Sequence, residues 1–335
     1  MAKFVTAAYV FDRGQMRLRD EDAQYMNQLN YSFALVKDGE VSGSHWSSIE
    51  AYKAYIARHP HILPVVSVGG WGAGGFSEAA ATAQGREMFA DTAIALMERH
   101  GFMGIDIDWE YPCSSEAEIA SSPADKHNFT LLLQALRERL DALTAKDGKP
   151  RLLAAAVGAA PELVENIECE AVGQIIDQLN LMTYDIQTRY VMSHATALFC
   201  PDARYPKCAD TAVRVYAEAG IPREKMMVGC AAYARLFHAK DGKPQVFGEA
   251  ASAGFDTMAY KDLIVDPAWT HDFDAAAGAA WAYKGEWFAS YDSAQSIAGK
   301  GAYVQANGLQ GLMYWEYGND FEGQIVGAMN KSLKF

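Results

Sequence analysis

Apolar and β-branched residues gather in eight short runs along the 335-residue chain, at 4–11, 29–36, 62–68, 102–109, 152–158, 178–184, 226–232 and 309–315. Runs of this length read as buried strands. Most gaps between them hold an amphipathic stretch, as at 78–99 and 125–145. In the second of these, Phe129, Leu132, Leu133, Leu136 and Leu140 recur at the three-and-four spacing of one buried helix face. Strands alternating with helices predict right-handed crossovers and a parallel sheet. Eight repeats favour an α/β fold closed into a (β/α)8 TIM barrel over an open sheet. The rhythm breaks once. Residues 233–308 separate the seventh and eighth strands, where an average βα unit takes about 30 residues. The stretch 237–285 is therefore expected to be an inserted α+β lobe beside the C-terminal mouth of the barrel. It carries several Gly and the aromatic residues Phe247, Phe255, Tyr260, Trp269, Phe273, Trp281 and Tyr283. The barrel itself would comprise 1–236 and 286–335.

One strand departs from the apolar pattern. In the segment 101–112, successive side chains alternate between faces, so Ile105, Ile107 and Trp109 share one face and Asp106, Asp108 and Glu110 the other. An edge strand with its acidic face in water could look like this, but the apolar flanks argue for a central position. A central parallel strand is normally apolar on both faces, so three inward carboxylates need a chemical reason. In a barrel Glu110 would lie nearest the C-terminal rim, where such barrels keep their chemistry. Carboxylates two residues apart on a strand lie roughly 6–7 Å apart, and three charges cannot all persist in a partly buried site. At least one proton is retained, which raises a pKa. A protonated Glu at the rim is what a general acid needs at neutral pH. A Mg²⁺ or Mn²⁺ site is the rival reading, although such ligands usually come from several strand ends.

Composition narrows the choice. At 50% hydrophobic and 21% charged residues the chain is an ordinary globular one. A net charge of −13 argues against nucleic acid or an anionic membrane as partner. The chain holds no run of 18 apolar residues, the length needed to span a bilayer. The eight histidines show no metal-ligand spacing, and Ser67-Val-Gly-Gly is not followed by the Gly-Lys-Ser/Thr of a phosphate loop; no cofactor and no metal are expected. The five cysteines (113, 169, 200, 208 and 230) show no zinc-type pair and are odd in number, so free thiols in a reducing compartment are expected. The chain opens directly into a strand pattern with no signal-peptide core. As written it is expected to stay in the cytoplasm, though a secreted protein with its leader removed would look the same. Oligomeric state is not legible.

The acidic segment resembles the signature strand of family 18 glycoside hydrolases, the chitinase family, whose pattern is Asp-Gly-x-Asp-x-Asp-x-Glu. Four further motifs follow the family in order and on separate strands: Ser67-Val-Gly-Gly-Trp71, Met182-Thr-Tyr-Asp185, Tyr233-Ala-Arg235 and Gly311-Leu-Met-Tyr-Trp315-Glu316. The extra lobe fits members that carry an α+β insertion. The resemblance implies a retaining hydrolase of β-1,4-linked N-acetylglucosamine, with the substrate's own acetamido group as nucleophile. By the same resemblance Glu110 is the general acid and base, Asp108 orients the acetamido group, Asp106 tunes Asp108, and Tyr9 and Ser67 support Asp106. Tyr184 would donate to the acetamido oxygen. Asp185, Met182, Trp315, Arg235, Trp71 and Tyr233 would contact sugar. Without the resemblance, Tyr184, Trp71 and Trp315 could be rim or core aromatics, and Arg235 a structural ion pair. Two positions depart from the family pattern: Met103 stands for its first Asp, and Ala234 for the usual Gly. A non-catalytic chitooligosaccharide-binding protein is the alternative, although relatives that lose activity usually lose the Glu. Peptidoglycan-derived or N-glycan N-acetylglucosamine linkages are alternative targets.

Overall fold

In a computed structural model, which describes residues 4–333 apart from 189, 203–205, 241, 243–247, 250 and 252–255, the eight runs are strands. They span Val5–Phe11, Gln28–Lys37, Leu63–Gly69, Gly104–Asp108, Leu152–Gly158, Gln178–Met182, Met226–Ala231 and Gly311–Trp315. Each pairs in parallel with the next, and Val5–Phe11 pairs with both Gln28–Lys37 and Gly311–Trp315, so the sheet closes into a barrel. A short ribbon, Glu40–Ser42, adds antiparallel to the end of the second strand.

The acidic strand is gripped from both sides. Its outward residues Ile105 and Ile107 are fully buried. Trp109, just beyond it, stacks on Phe76 at 5.4 Å and meets Phe129 edge-on at 5.9 Å. Helix Asp125–Asp147 buries Phe129, Leu132, Leu133, Leu136 and Leu140, the face read from the spacing. The strand itself ends at Asp108, so Glu110 sits on the exit turn, one step past strict alternation. Gly69 shows why this edge must be so tight. It pairs with Asp108, has φ +118°, and a Cβ there would lie 2.1 Å from the Asp108 carbonyl oxygen. Only glycine lets the third strand close against the fourth at this level.

Between the seventh and eighth barrel strands stands a five-stranded antiparallel sheet. Its order is Asp256–Ala259, Tyr233–His238, Trp287–Tyr291, Ala279–Lys284, Thr270–Asp274. The sheet thus begins at Tyr233 and ends at Tyr291, taking in residues on both sides of 237–285. Phe247 and Phe255 lie outside the described residues. Helix Tyr260–Val265 follows the first-ordered strand. The loop after the sixth barrel strand packs on this sheet, with the Ala195 amide donating to Ser290 Oγ (2.8 Å) and those of Leu198 and Phe199 to the Ala277 carbonyl.

The expectation of five free thiols is corrected. Cys200 and Cys208 form a disulfide with their Cα atoms 5.7 Å apart, while Cys113, Cys169 and Cys230 are free. Their spacing matches no motif. They meet just ahead of helix Ala209–Glu218, whose N-cap is Cys208. Among the described residues, no helix is long and apolar enough to cross a membrane.

Candidate active site

The three acids climb the inside of the barrel, each in a different environment. Asp106 is lowest and fully buried. Its Oδ2 accepts from Ser67 Oγ (2.7 Å) and Tyr9 OH (2.9 Å), and its Oδ1 from Asn180 Nδ2 (3.0 Å). Burial raises its pKa, while these donors and Asn30 pull it back down; burial wins. Beneath lies a layer of amides. Gln178 donates to Asn180 Oδ1 (2.8 Å), and Gln28 to Asn30 Oδ1 (2.9 Å).

Asp108 has no such support. It is buried, and its Oδ1 has no hydrogen-bond partner. Burial, followed by the charges of Glu110 and Asp106, pushes its carboxyl well above the usual range. Held this close, Asp108 and Glu110 do not both carry a full charge at neutral pH, so a proton stays within the pair. Glu110 is half-buried at the rim. Burial and the charge of Asp185 push it up to about 7, against a hydrogen bond from Tyr111 that favours the anion. The Tyr184 phenol is held protonated by burial and then by the nearby charges of Asp108 and Glu110. Its hydroxyl makes one long contact, donating to Met313 Sδ at 4.0 Å.

Around this column the barrel mouth is apolar. Trp315 stacks on Phe33 (5.3 Å, 21°) and meets Tyr9 and Phe11 edge-on at 6.0 and 5.9 Å. Met182, Met227, Met313, Tyr111 and Tyr184 pack in the same cluster as Trp315. Non-proline cis peptides occur at Ser32–Phe33, Glu110–Tyr111 and Trp315–Glu316, all in this region.

The first strand of the lobe supplies the next wall. Arg235 Nε pairs with Asp185 Oδ1 at 2.5 Å, its guanidinium lies 5.5 Å over the Tyr233 ring, and Tyr233 meets Tyr184 edge-on at 6.2 Å. Ala234 is buried on the opposite face of that strand, opposite Met258, so its methyl does not hinder the Arg235–Asp185 pair. Met103 precedes the acidic strand, its amide on the Pro64 carbonyl (2.7 Å). Trp71 stands at the outer rim, 60% exposed, and joins the group through Tyr111 at 6.3 Å.

The candidate residues thus fall into three connected groups: Tyr9, Ser67 and Asp106 at the base; Asp108, Glu110, Tyr184, Met182 and Trp315 in the middle; Asp185, Tyr233 and Arg235 beside the lobe, with Trp71 outside. Sequence reading missed Asn30, Asn180, Phe33, Tyr111, Met227 and Met313. The two amides could have been found: Gln28/Asn30 and Gln178/Asn180 are polar i, i+2 pairs on otherwise apolar strands, the same signal that singled out the acids. Glu316, left without a role, is buried and pairs with Arg13 at 3.2 Å. A separate cavity of about 470 Å³ lies under the loop after the sixth barrel strand, walled by Ile186, Met192, His194, Phe199 and Asp274; none of the three acids lines it. Among the described residues, no three His, Cys, Asp or Glu side chains converge as metal ligands would.

Residues 5–320 match the family described as glycosyl hydrolases family 18. The chain is 35% identical to chitinase A1 of Niallia circulans over 301 residues, which is 82% of this chain and 43% of that protein, so it spans under half of that relative's length. It is 28% identical to endochitinase 1 of Metarhizium robertsii, over 94% of this chain and 80% of that one. Among solved structures, a family 18 N-acetylglucosaminidase from Paenibacillus barengoltzii superposes with a TM-score of 0.93 at 33% identity, covering 98% of this chain and 100% of that one.

Proposed function

The chain belongs to family 18 of the glycosyl hydrolases, and from that premise we propose that it hydrolyses β-1,4-linked N-acetylglucosamine chains with retention at the anomeric carbon. The sugar at the cleavage point would lie on Trp315, its 2-acetamido group turned down toward Asp108 and Tyr184. Glu110, with its carboxyl poised near 7, gives its proton to the leaving glycosidic oxygen. The acetamido carbonyl oxygen attacks the anomeric carbon from the opposite side as the C–O bond breaks, closing an oxazolinium ring. The acetamido N–H then carries positive charge. Asp108 accepts a hydrogen bond from it and stabilises that charge, while the Tyr184 hydroxyl orients the carbonyl. Glu110, now a carboxylate, takes a proton from the incoming water, whose oxygen reopens the ring at the anomeric carbon. Asp106, fixed by Tyr9, Ser67 and Asn180, sets the charge felt by Asp108.

The observation that carries this reading is the unpartnered Asp108 oxygen between a rim acid and a phenol. Such an orphan in a buried site implies a substrate donor. No second protein carboxylate is then needed as nucleophile. Asp185, Arg235, Tyr233, Met182 and Trp71 would hold neighbouring sugars. The test is the early product profile from chitotetraose to chitohexaose, read by anomer: β-anomer first is expected, and initial α-anomer would exclude retention. The same profile addresses a second reading, removal of single terminal sugars. That reading is supported by the likeness to the Paenibacillus N-acetylglucosaminidase over its full length, and monomer as the sole early product would favour it. Binding without turnover would favour a sugar-binding protein instead.

A further inference from the structure

The strand end that presents Tyr184 and Asp185 is backed by a charge pair sealed inside the protein. Lys300, on helix Ala294–Ala306, and Asp292, just after the last lobe strand, are both fully buried, with Nζ 2.8 Å from Oδ2. The ammonium's other donors go to Thr196 Oγ1 (2.5 Å) and the Gly229 carbonyl (3.0 Å). The Asp292 carboxylate also accepts from Thr196 Oγ1 (2.7 Å), the Ala231 amide (3.0 Å) and Ser296 Oγ (2.7 Å). Both ions are thereby saturated.

Their common neighbour is Gly229, on the seventh barrel strand. Thr183 clasps it at both backbone groups: Oγ1 donates to the Gly229 carbonyl (2.8 Å) and accepts from its amide (2.9 Å). Thr183 immediately precedes Tyr184. The Tyr184 ring lies directly over Gly229, where a Cβ would come within 2.9 Å of its Cε1. The ammonium is therefore one hydrogen bond from the backbone that serves as the floor of the Tyr184 ring.

Removing two ions from water is costly, and buried pairs of this kind can often be exchanged for apolar packing without loss of stability. Here the pair's hydrogen bonds tie together Thr196, Gly229 and Ala231. We propose that Lys300, with Asp292, is a positioning residue for Tyr184: it fixes Gly229 and Thr183 so that the phenol stays within reach of Asp108 and Glu110. The pair is sealed from solvent and touches no sugar. The proposal rests on the role given to Tyr184 above.

The test is a cycle measured on chitotetraose with wild type, Lys300→Met/Asp292→Asn, Tyr184→Phe and all three together. Removing both charges at once avoids stranding one of them. The charge-pair variant should keep a single unfolding transition and a KM within about two-fold, while kcat falls about ten-fold or more. Added to Tyr184→Phe, it should cost nothing further, because coupled residues are not additive. Thr196→Val, a gentler cut in the same network, should lower kcat several-fold, again only while Tyr184 is present. Wild-type kcat in the folded charge-pair variant, or a loss that multiplies with that of Tyr184→Phe, would overturn the proposal. Should that variant not fold, Thr196→Val decides by the same criterion. Full activity in Tyr184→Phe alone is a distinct outcome: it would remove the tyrosine's role and the proposal built on it.

Discussion

Glu110 stands at the boundary between water and the barrel interior, and that position sets two measurable behaviours. The first is kinetic. General acid catalysis by a positioned side chain is worth roughly 10²–10⁴-fold, so Glu110→Gln should lower kcat on chitotetraose by about 10³-fold. In the wild type, kcat/KM should fall as pH rises through about 7, because the acid form is consumed; a rate still climbing at pH 9 would contradict this. The second is thermodynamic. The carboxyl titrates near 4.5 when unfolded and near 7 when folded, so between those values the folded state binds the extra proton. Its contribution is present below about pH 4.5 and is lost as pH rises through 7. Glu110→Gln should therefore match the wild type near pH 4 and exceed it above pH 7, by at most about 3 kcal/mol at 1.36 kcal/mol per pKa unit. Urea unfolding at the two pH values checks the sign. Asp108, buried and unsupported, pushes in the same direction.

At the level of elements, one strand carries Asp106 and Asp108 and leads into Glu110, while three others hold the lowest acid, Asp106, in place. Tyr9 comes from the first strand, Ser67 from the third and Asn180 from the sixth, all meeting on Asp106. Hydrogen bonds to a charged group are worth about 1.5–3 kcal/mol, so Ser67→Ala should reduce kcat roughly ten-fold with little change in KM, well short of the loss expected for Glu110→Gln. A loss of a thousand-fold would mean that Ser67 touches substrate itself. The acidic stripe and the helix face at 125–147 were legible in the sequence because a period of two or of 3.6 is written in residue types. The position of Glu110 on a turn was not, since the strand's end is decided by how closely Gly69 lets its neighbour approach. Nor was the Cys200–Cys208 bond: a separation of eight residues does not by itself say that two thiols meet. Phe33 and Tyr111 gave no periodic signal, and their place against Trp315 and Trp71 depends on the chain path after each strand.

As a whole molecule, barrel and lobe share one interior seam, formed by Asp292–Lys300, Ser290–Ala195 and His194–Asp274. A lobe joined this way should not melt alone, so calorimetry at neutral pH should show one endotherm; two separated transitions would count against the seam. The disulfide beside it closes a short loop, a constraint of about 2.5 kcal/mol on chain-entropy grounds. Alkylation of the denatured, unreduced protein should modify three cysteines, and all five only after reduction. Trp71 finally offers a window on the site that needs no chemistry at all. Its indole is open to solvent while Trp109 is buried, Trp315 partly buried and Trp287, on the lobe, less exposed than Trp71, so an aqueous quencher such as iodide reaches it readily. A sugar laid across that ring would shield it, and the emission of the slowed Glu110→Gln protein would then report occupancy in real time, before much is cut.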